Sequence, residues 1–192
     1  AVLREHRLAL LPAMILTCVL TSAVVVFVVI TPTMMQKTFG MTPSHTFALS
    51  ALGSVFLNIG CVLAGLLVDR IGAWRAVLVY SLLLPVGIFV LYASLISGGI
   101  WLGAAYALAG LSCGVVGAVP SVMVGLFPAQ VRVSGISFTY NIAYALWAST
   151  TPLMLIALMP TSPWICVGYC VVMGAVGVAS VALFGKRHTL AA

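Results

Sequence analysis

The chain contains two acidic residues, Glu5 and Asp69, and Asp69 sits in its most distinctive stretch, Gly65-Leu66-Leu67-Val68-Asp69-Arg70-Ile71-Gly72-Ala73-Trp74-Arg75. The chemistry available there is a reversible ion pair. Asp69 closes a long apolar run. An anion at the C-terminal end of a helix opposes the helix dipole and needs a partner elsewhere. Arg132, in the other charged break, and the N-terminus of an adjacent helix are the candidates. A contact that forms as helix ends close and breaks as they open would serve as a latch in alternating access. In that reading Gly65 permits close helix approach and Gly72 a tight turn, with Arg70 and Arg75 completing the set. The plainer alternative is an orientation anchor, in which the arginines fix the chain in its membrane and Asp69 offsets them.

A second set of polar groups lies inside apolar runs: Asn58, then Tyr140, Asn141 and Tyr144. Tyr140 and Tyr144 are four apart, which puts them on one helix face. Amide and phenol groups bind carboxylates or zwitterions through hydrogen bonds, or join neighbouring helices within a bundle. His6, His45 and His188 are far apart and lie near run ends. The five cysteines (Cys18, Cys61, Cys113, Cys166, Cys170) fall within apolar runs, as small apolar residues do. Their spacing fits neither a zinc site nor a disulfide framework. With no nucleophile–base set either, the expectation is a protein that is not an enzyme, with no cofactor and no metal.

The elements that must position these residues follow from composition. The chain is 64% hydrophobic and 5% charged, with mean hydropathy +1.28, against about 25% charged in a soluble domain. Its solvent is lipid. Residues 8–36, 38–68, 76–131 and 133–185 lack Asp, Glu, Lys and Arg. A spanning helix needs about 20 apolar residues, so the first two runs hold one span each and the last two hold two each. The expectation is an all-α integral membrane protein, 1–192 as a single bundle, with helices at about 9–31, 45–68, 76–97, 100–126, 134–158 and 164–184. The third span has no polar stripe and is expected to face lipid. The fourth is crowded with Gly, Ala and Ser, suited to close packing and bending.

A net charge of +6 in a soluble protein would suggest nucleic acid. Here the placement of the charges speaks instead for orientation, and no nucleic-acid partner is expected. In a six-helix weave Arg4, Arg7, Arg70, Arg75, Arg132, Lys186 and Arg187 fall on one side and Lys37 on the other. The positive-inside rule makes that side, and both termini, cytoplasmic.

The 65–75 stretch resembles the signature loop between the second and third helices of a six-helix half in the major facilitator superfamily. Leu126-Phe127-Pro128-Ala129-Gln130-Val131-Arg132-Val133-Ser134-Gly135-Ile136-Ser137, with Tyr140-Asn141 and Thr151-Pro152-Leu153 after it, is similar to the penultimate helix of that superfamily's metabolite:proton symporters. Those are the permeases for 2-oxoglutarate, citrate, shikimate, proline and betaine. The chain departs from the pattern at Ala73-Trp74, Gly125 and Gln130, so its charge network is thinner. The resemblance covers nearly the whole chain. It implies the C-terminal half of such a symporter, built as 3+3 inverted repeats, in a bacterial inner membrane. It further implies a proton-coupled transporter of small organic acids. Its partner would be a second half: another chain, a missing N-terminal half, or a copy of itself. The contrasting expectation is a membrane subunit for assembly or sensing that keeps the fold without transport.

Overall fold

The computed structural model describes residues 7–158 and 162–185, without the side chains of Arg7 and Leu8. Arg4, His6, Lys186, Arg187, His188 and the turn at 159–161 lie outside the described residues. Six helices are long and apolar enough to cross a membrane: α1 (Ala9–Lys37), α2 (Pro43–Ile71), α3 (Ala73–Ile96), α4 (Leu102–Leu126), α5 (Arg132–Leu158) and α6 (Ile165–Gly185). The protein is a multi-pass membrane protein by that measure.

Several boundaries differ from expectation for identifiable reasons. Pro32 marks no loop, and α1 runs on to Lys37. A π-helical turn at Val25–Ile30 widens the backbone ahead of the proline. The Thr31 hydroxyl donates to the Val26 carbonyl at 2.8 Å, and the Thr33 hydroxyl donates to the Val29 carbonyl at 2.7 Å. Both are bonds that a helical threonine makes back to the preceding turn, one on either side of the proline, and such bonds accompany helix bends. The helix ends at Lys37, and the chain turns at Gly40, whose φ is +63°. Thr42 caps α2, accepting from the His45 amide at 3.4 Å, with Pro43 in the first turn.

The charged stretch is not a loop. Asp69 and Arg70 belong to the last turn of α2 and Arg75 to the first turn of α3, joined at Gly72. Gly72 has φ +87° and ψ 153°, a conformation that disfavours any residue with a Cβ. In α4 the break falls at Cys113–Gly114, where the Cys113 amide is shared between the carbonyls of Ala109 and Gly110 at 3.1 Å each. Pro120 lies within the continuous helix that follows.

Residue-level contacts show how the helices run. Phe27 meets Tyr106, and Thr17 meets Met123, so α1 and α4 are antiparallel. Trp74 lies by Gly185, and Phe89 stacks on Trp164, so α3 and α6 are antiparallel. Gly53 approaches Gly110, and Cys61 approaches Gly117, so α2 and α4 are parallel. The chain therefore weaves up and down. Asp69, Arg70, Arg75 and Arg132 share one end, and Lys37 lies at the other.

Packing arranges the six helices in two layers. One row runs α2, α4, α1, α5, and α3 and α6 back it. Exchanging each helix for the one three places along maps these contacts onto one another: α1·α5 onto α4·α2, α1·α6 onto α4·α3, α2·α3 onto α5·α6, with α1·α4 and α3·α6 mapping onto themselves. Burial follows the same pairing. Inside the bundle 67% of the α1 window and 56% of the α4 window are buried, against 17% for both α2 and α5. The two halves of the chain are thus alike in placement and opposite in direction.

The expectation that α3 faces lipid is corrected in part. Val79, Leu82, Leu83 and Val86 do point outward, but half of the α3 window is buried, and Tyr80, Ser81, Leu84, Ile88 and Tyr92 line its inner face. The absence of a polar stripe does not mark lipid exposure, because the bundle interior is as apolar as the lipid.

Candidate functional site

The arginine end is built by short connections. Arg132 opens α5 after the turn Phe127–Val131, and its Nε donates to the Phe127 carbonyl at 3.2 Å. The Phe127 ring is buried against Gly135, where an added Cβ would come within 2.6 Å of it. That glycine lets the ring seat beneath the first turn of α5. Arg132 is therefore turned back onto its own connection. Asp69, Arg70 and Arg75 all project outward.

Among the described residues Asp69 forms no ion pair with Arg132 or with any other group. The topology gives the reason. Asp69 ends α2 and Arg132 starts α5, and these helices occupy opposite ends of the row with α4 and α1 between them. Gly65 also departs from expectation, because an added Cβ there would meet nothing within 4 Å. The close approach assigned to it is made by Gly53 and Gly60 instead.

The mid-membrane polar groups lie on the two least covered helices. On α2 the Ser50, Ser54 and Asn58 side chains step along one face at four-residue spacing. The Ser54 hydroxyl donates to the Ser50 carbonyl at 2.8 Å, and the Asn58 Nδ2 donates to the Ser54 carbonyl at 2.8 Å. On α5 the Asn141 Nδ2 donates to the Ser137 carbonyl at 2.8 Å. Asn58 and Asn141 are both exposed. Each amide uses one donor on its own helix, and its carbonyl oxygen and second N–H have no protein partner among the described residues.

Tyr140 and Tyr144 are half-buried, their rings stacked at 5.5 Å with planes 20° apart. Neither hydroxyl has a protein partner among the described residues. The structure thus unites Tyr140, Asn141 and Tyr144 on α5. It does not bring Asn58 to them, since α2 and α5 share no packed interface.

The sequence analysis assigns no functional residue to the sixth span, yet a polar node lies there. The Tyr169 hydroxyl lies 2.8 Å from Ser22 Oγ and 2.8 Å from Thr151 Oγ1. It joins α1, α5 and α6 at one point, and Ser22 also donates to the Cys18 carbonyl at 2.7 Å. The available signal was a single phenol in an otherwise apolar span. α5 has few other contacts with α6, so this node carries much of that junction. Tyr169→Phe is expected to lower stability by about 1 kcal/mol, the net worth of one or two such bonds in a membrane interior. Thermal unfolding in detergent reads this directly, and an unchanged midpoint would assign the junction to apolar packing.

A cavity of 530 Å³ lies away from these groups, between α3 and α4, lined by Val90, Ala93, Ser94, Trp101, Ala104 and Leu108. Among the described residues no three of His, Cys, Asp and Glu gather as a metal centre would. Comparison with family models, with curated proteins and with solved structures finds no match to this chain.

Proposed function

We infer that the chain is one half of a secondary transporter that moves small organic acids or related metabolites by alternating access. The observation that carries this reading is the pairing of α1–α3 with α4–α6. Two triplets of equal placement and opposite direction are the arrangement that transporter folds use, with the substrate near the bilayer midplane at a repeat interface. The outward amides support it. Polar groups at membrane depth are costly in lipid and gather where they face water or protein. Asn58 on α2, and Tyr140, Asn141 and Tyr144 on α5, sit on the helices that this bundle leaves least covered.

A second half, from a partner chain or a second copy, would cover those faces and leave a cavity between. The outward amides would then bind carboxylate or zwitterion oxygens, and the arginine end would open and close beneath. Proton coupling and a bacterial inner-membrane location belong to this reading through the resemblance above. A non-transporting subunit is the alternative, and the thin charge network at the arginine end favours it.

The test is a single-cysteine scan at Asn141 after the native cysteines have been replaced. Asn141→Cys is expected to react with a membrane-impermeant thiol reagent from one side and to be protected by a transported dicarboxylate or betaine. An unreactive thiol would place the residue in packing and overturn the reading. The mass of the purified 20.0 kDa chain in detergent shows whether it pairs with itself.

A further inference from the structure

A groove of 380 Å³ lies between the lysine end of α1 and the start of α2. Its lining changes along its length. Val28, Val29 and Pro32 form the deep part with Phe47, which stands one turn into α2. Gln36 and Lys37, in the last turn of α1, form the upper part. The deep wall comes from the π-helical turn at Val25–Ile30. That turn buries Val25, Val26, Phe27 and Ile30 and leaves Val28 and Val29 half exposed. Single π-helical turns inside α-helices are frequent at functional sites.

The donors at the top are uncommitted. Among the described residues neither the Gln36 amide nor the Lys37 ammonium has a protein partner. The Thr33 hydroxyl below them is spent on the Val29 carbonyl. Lys37 is the one basic residue at its end of the described chain. Asp69 is the one described carboxylate, and it ends α2 about 40 Å away by helix rise. The chain therefore leaves the Lys37 charge without an offset. A helix C-terminus repels an anion placed beside it, but main-chain amides already cover two of its carbonyls. Thr38 and Phe39 donate to Met34 at 2.8 and 3.2 Å, and Met41 donates to Met35 at 2.9 Å.

Depth and charge select the occupant. The 29 residues of α1 make it about 43 Å long, against about 30 Å of hydrocarbon in a bilayer. Lys37, at the helix end, thus reaches the headgroup layer, and Val28 lies about 13 Å below it among the acyl chains. An oxyanion above and a hydrocarbon chain below match that order. Lysine binds phosphate as a point charge, and a basic side chain at the surface favours anionic lipid.

We propose that this groove binds one anionic phospholipid from the leaflet on the lysine side. Its phosphate sits on Lys37 and Gln36, and one acyl chain lies along Val28, Val29 and Phe47. The site is separate from Asn58 and Asn141 and does not depend on the transport reading.

The test uses the full chain in phosphatidylcholine nanodiscs that hold a small fraction of phosphatidylglycerol with a photoactivatable acyl chain. Mass spectrometry maps the adducts to residues. The wild type is expected to concentrate them on residues 28–37 and on Phe47, above the level on the outward residues Leu82 and Val86 of α3. Unlabelled phosphatidylglycerol is expected to compete them away, and added phosphatidylcholine to leave them. Lys37→Gln is expected to lower them about fivefold, the worth of one basic side chain at an anionic surface, and Lys37→Arg to keep them. Val29→Trp, which fills the groove and leaves the charge, is expected to remove them. Lys37 is exposed and Val29 half exposed, and the unfolding midpoint of each variant checks that its fold is intact. Adducts at the level of α3, or adducts indifferent to Lys37→Gln, would identify bulk boundary lipid only and overturn the proposal. Displacement by a free dicarboxylate would assign the oxyanion site to a soluble acid and overturn it as well.

Discussion

Gly110→Leu is expected to destabilise the bundle by about 3 kcal/mol, the upper end of what overpacking costs. Along the parallel α2–α4 crossing each helix presents glycines to the other's backbone. A Cβ at Gly110 would lie 2.5 Å from the Gly53 carbonyl oxygen and 3.0 Å from the Leu57 amide nitrogen. At Gly60 it would lie 2.6 Å from the Leu111 oxygen, and at Gly117 2.6 Å from the Cys61 oxygen. These neighbours are main-chain atoms of well-formed helices, so no rotamer change relieves the clash. The helices would have to separate, giving up the close contact that drives association in lipid. The same crossing seats Tyr80, whose hydroxyl donates to the Gly60 carbonyl at 3.1 Å, so separation would expose that bond as well.

The matched control has the opposite sign. Gly65→Ala and Gly125→Ala meet nothing within 4 Å. Replacing a helical glycine with alanine where there is room is worth about 0.5–1 kcal/mol, so both are expected to raise the unfolding midpoint slightly. Thermal unfolding of the three variants in one detergent checks the contrast. Equal midpoints for Gly110→Leu and Gly65→Ala would mean that the α2–α4 crossing is loose.

The contrast also shows how far the sequence could be read. Six spans were legible because hydropathy counts lipid-compatible length, and charged residues interrupt only where the chain leaves the membrane. The small residues of α4 signalled close packing, and Gly53 and Gly60 of α2 do meet it. Gly65 carries the same signal and meets nothing. Three glycines in one helix look alike in sequence, and only the crossing decides which of them lie under a neighbour.

Helix ends were less legible where a usual stop signal was overridden. Pro32 reads as a loop, but a π-helical turn carries α1 past it. The second span was expected to end at about residue 68, where the charges begin, but the helix carries Asp69 and Arg70 in its last turn and Gly72 alone makes the turn. The candidate site was legible as a list of residues and not as a place. Asn58 and Asn141 were identifiable as amides in apolar runs. That α2 and α5 sit at opposite ends of one row follows from packing that no local pattern encodes.

On the transport reading proposed above, Asp69→Asn separates the latch from the anchor, because only a latch predicts an effect on transport. The carboxylate is exposed in the last turn of α2, where the helix dipole disfavours it, and the exposed Arg70 and Arg75 stand nearby. Loss of the charge removes one unfavourable and one favourable interaction, each worth less than about 1 kcal/mol at an exposed helix end. The folded chain is therefore expected to change little in unfolding midpoint or expression. If Asp69 is the latch of a transporter, transport is expected to fall by about tenfold, the effect of losing a single interaction worth about 1.4 kcal/mol in one of two conformations.

The partner in that conformation is not Arg132 of the same chain as it stands here, since its Nε holds the Phe127 carbonyl. The partner would come from the second half, through a basic side chain or a helix N-terminus that meets the end of α2 as the arginine end closes. Uptake into liposomes and unfolding midpoint, measured on the same preparation of Asp69→Asn, decide between the two roles. Reduced uptake at an unchanged midpoint identifies a latch. Uptake equal to wild type would leave the Asp69 carboxylate with no part in closing the arginine end and would favour the anchor role.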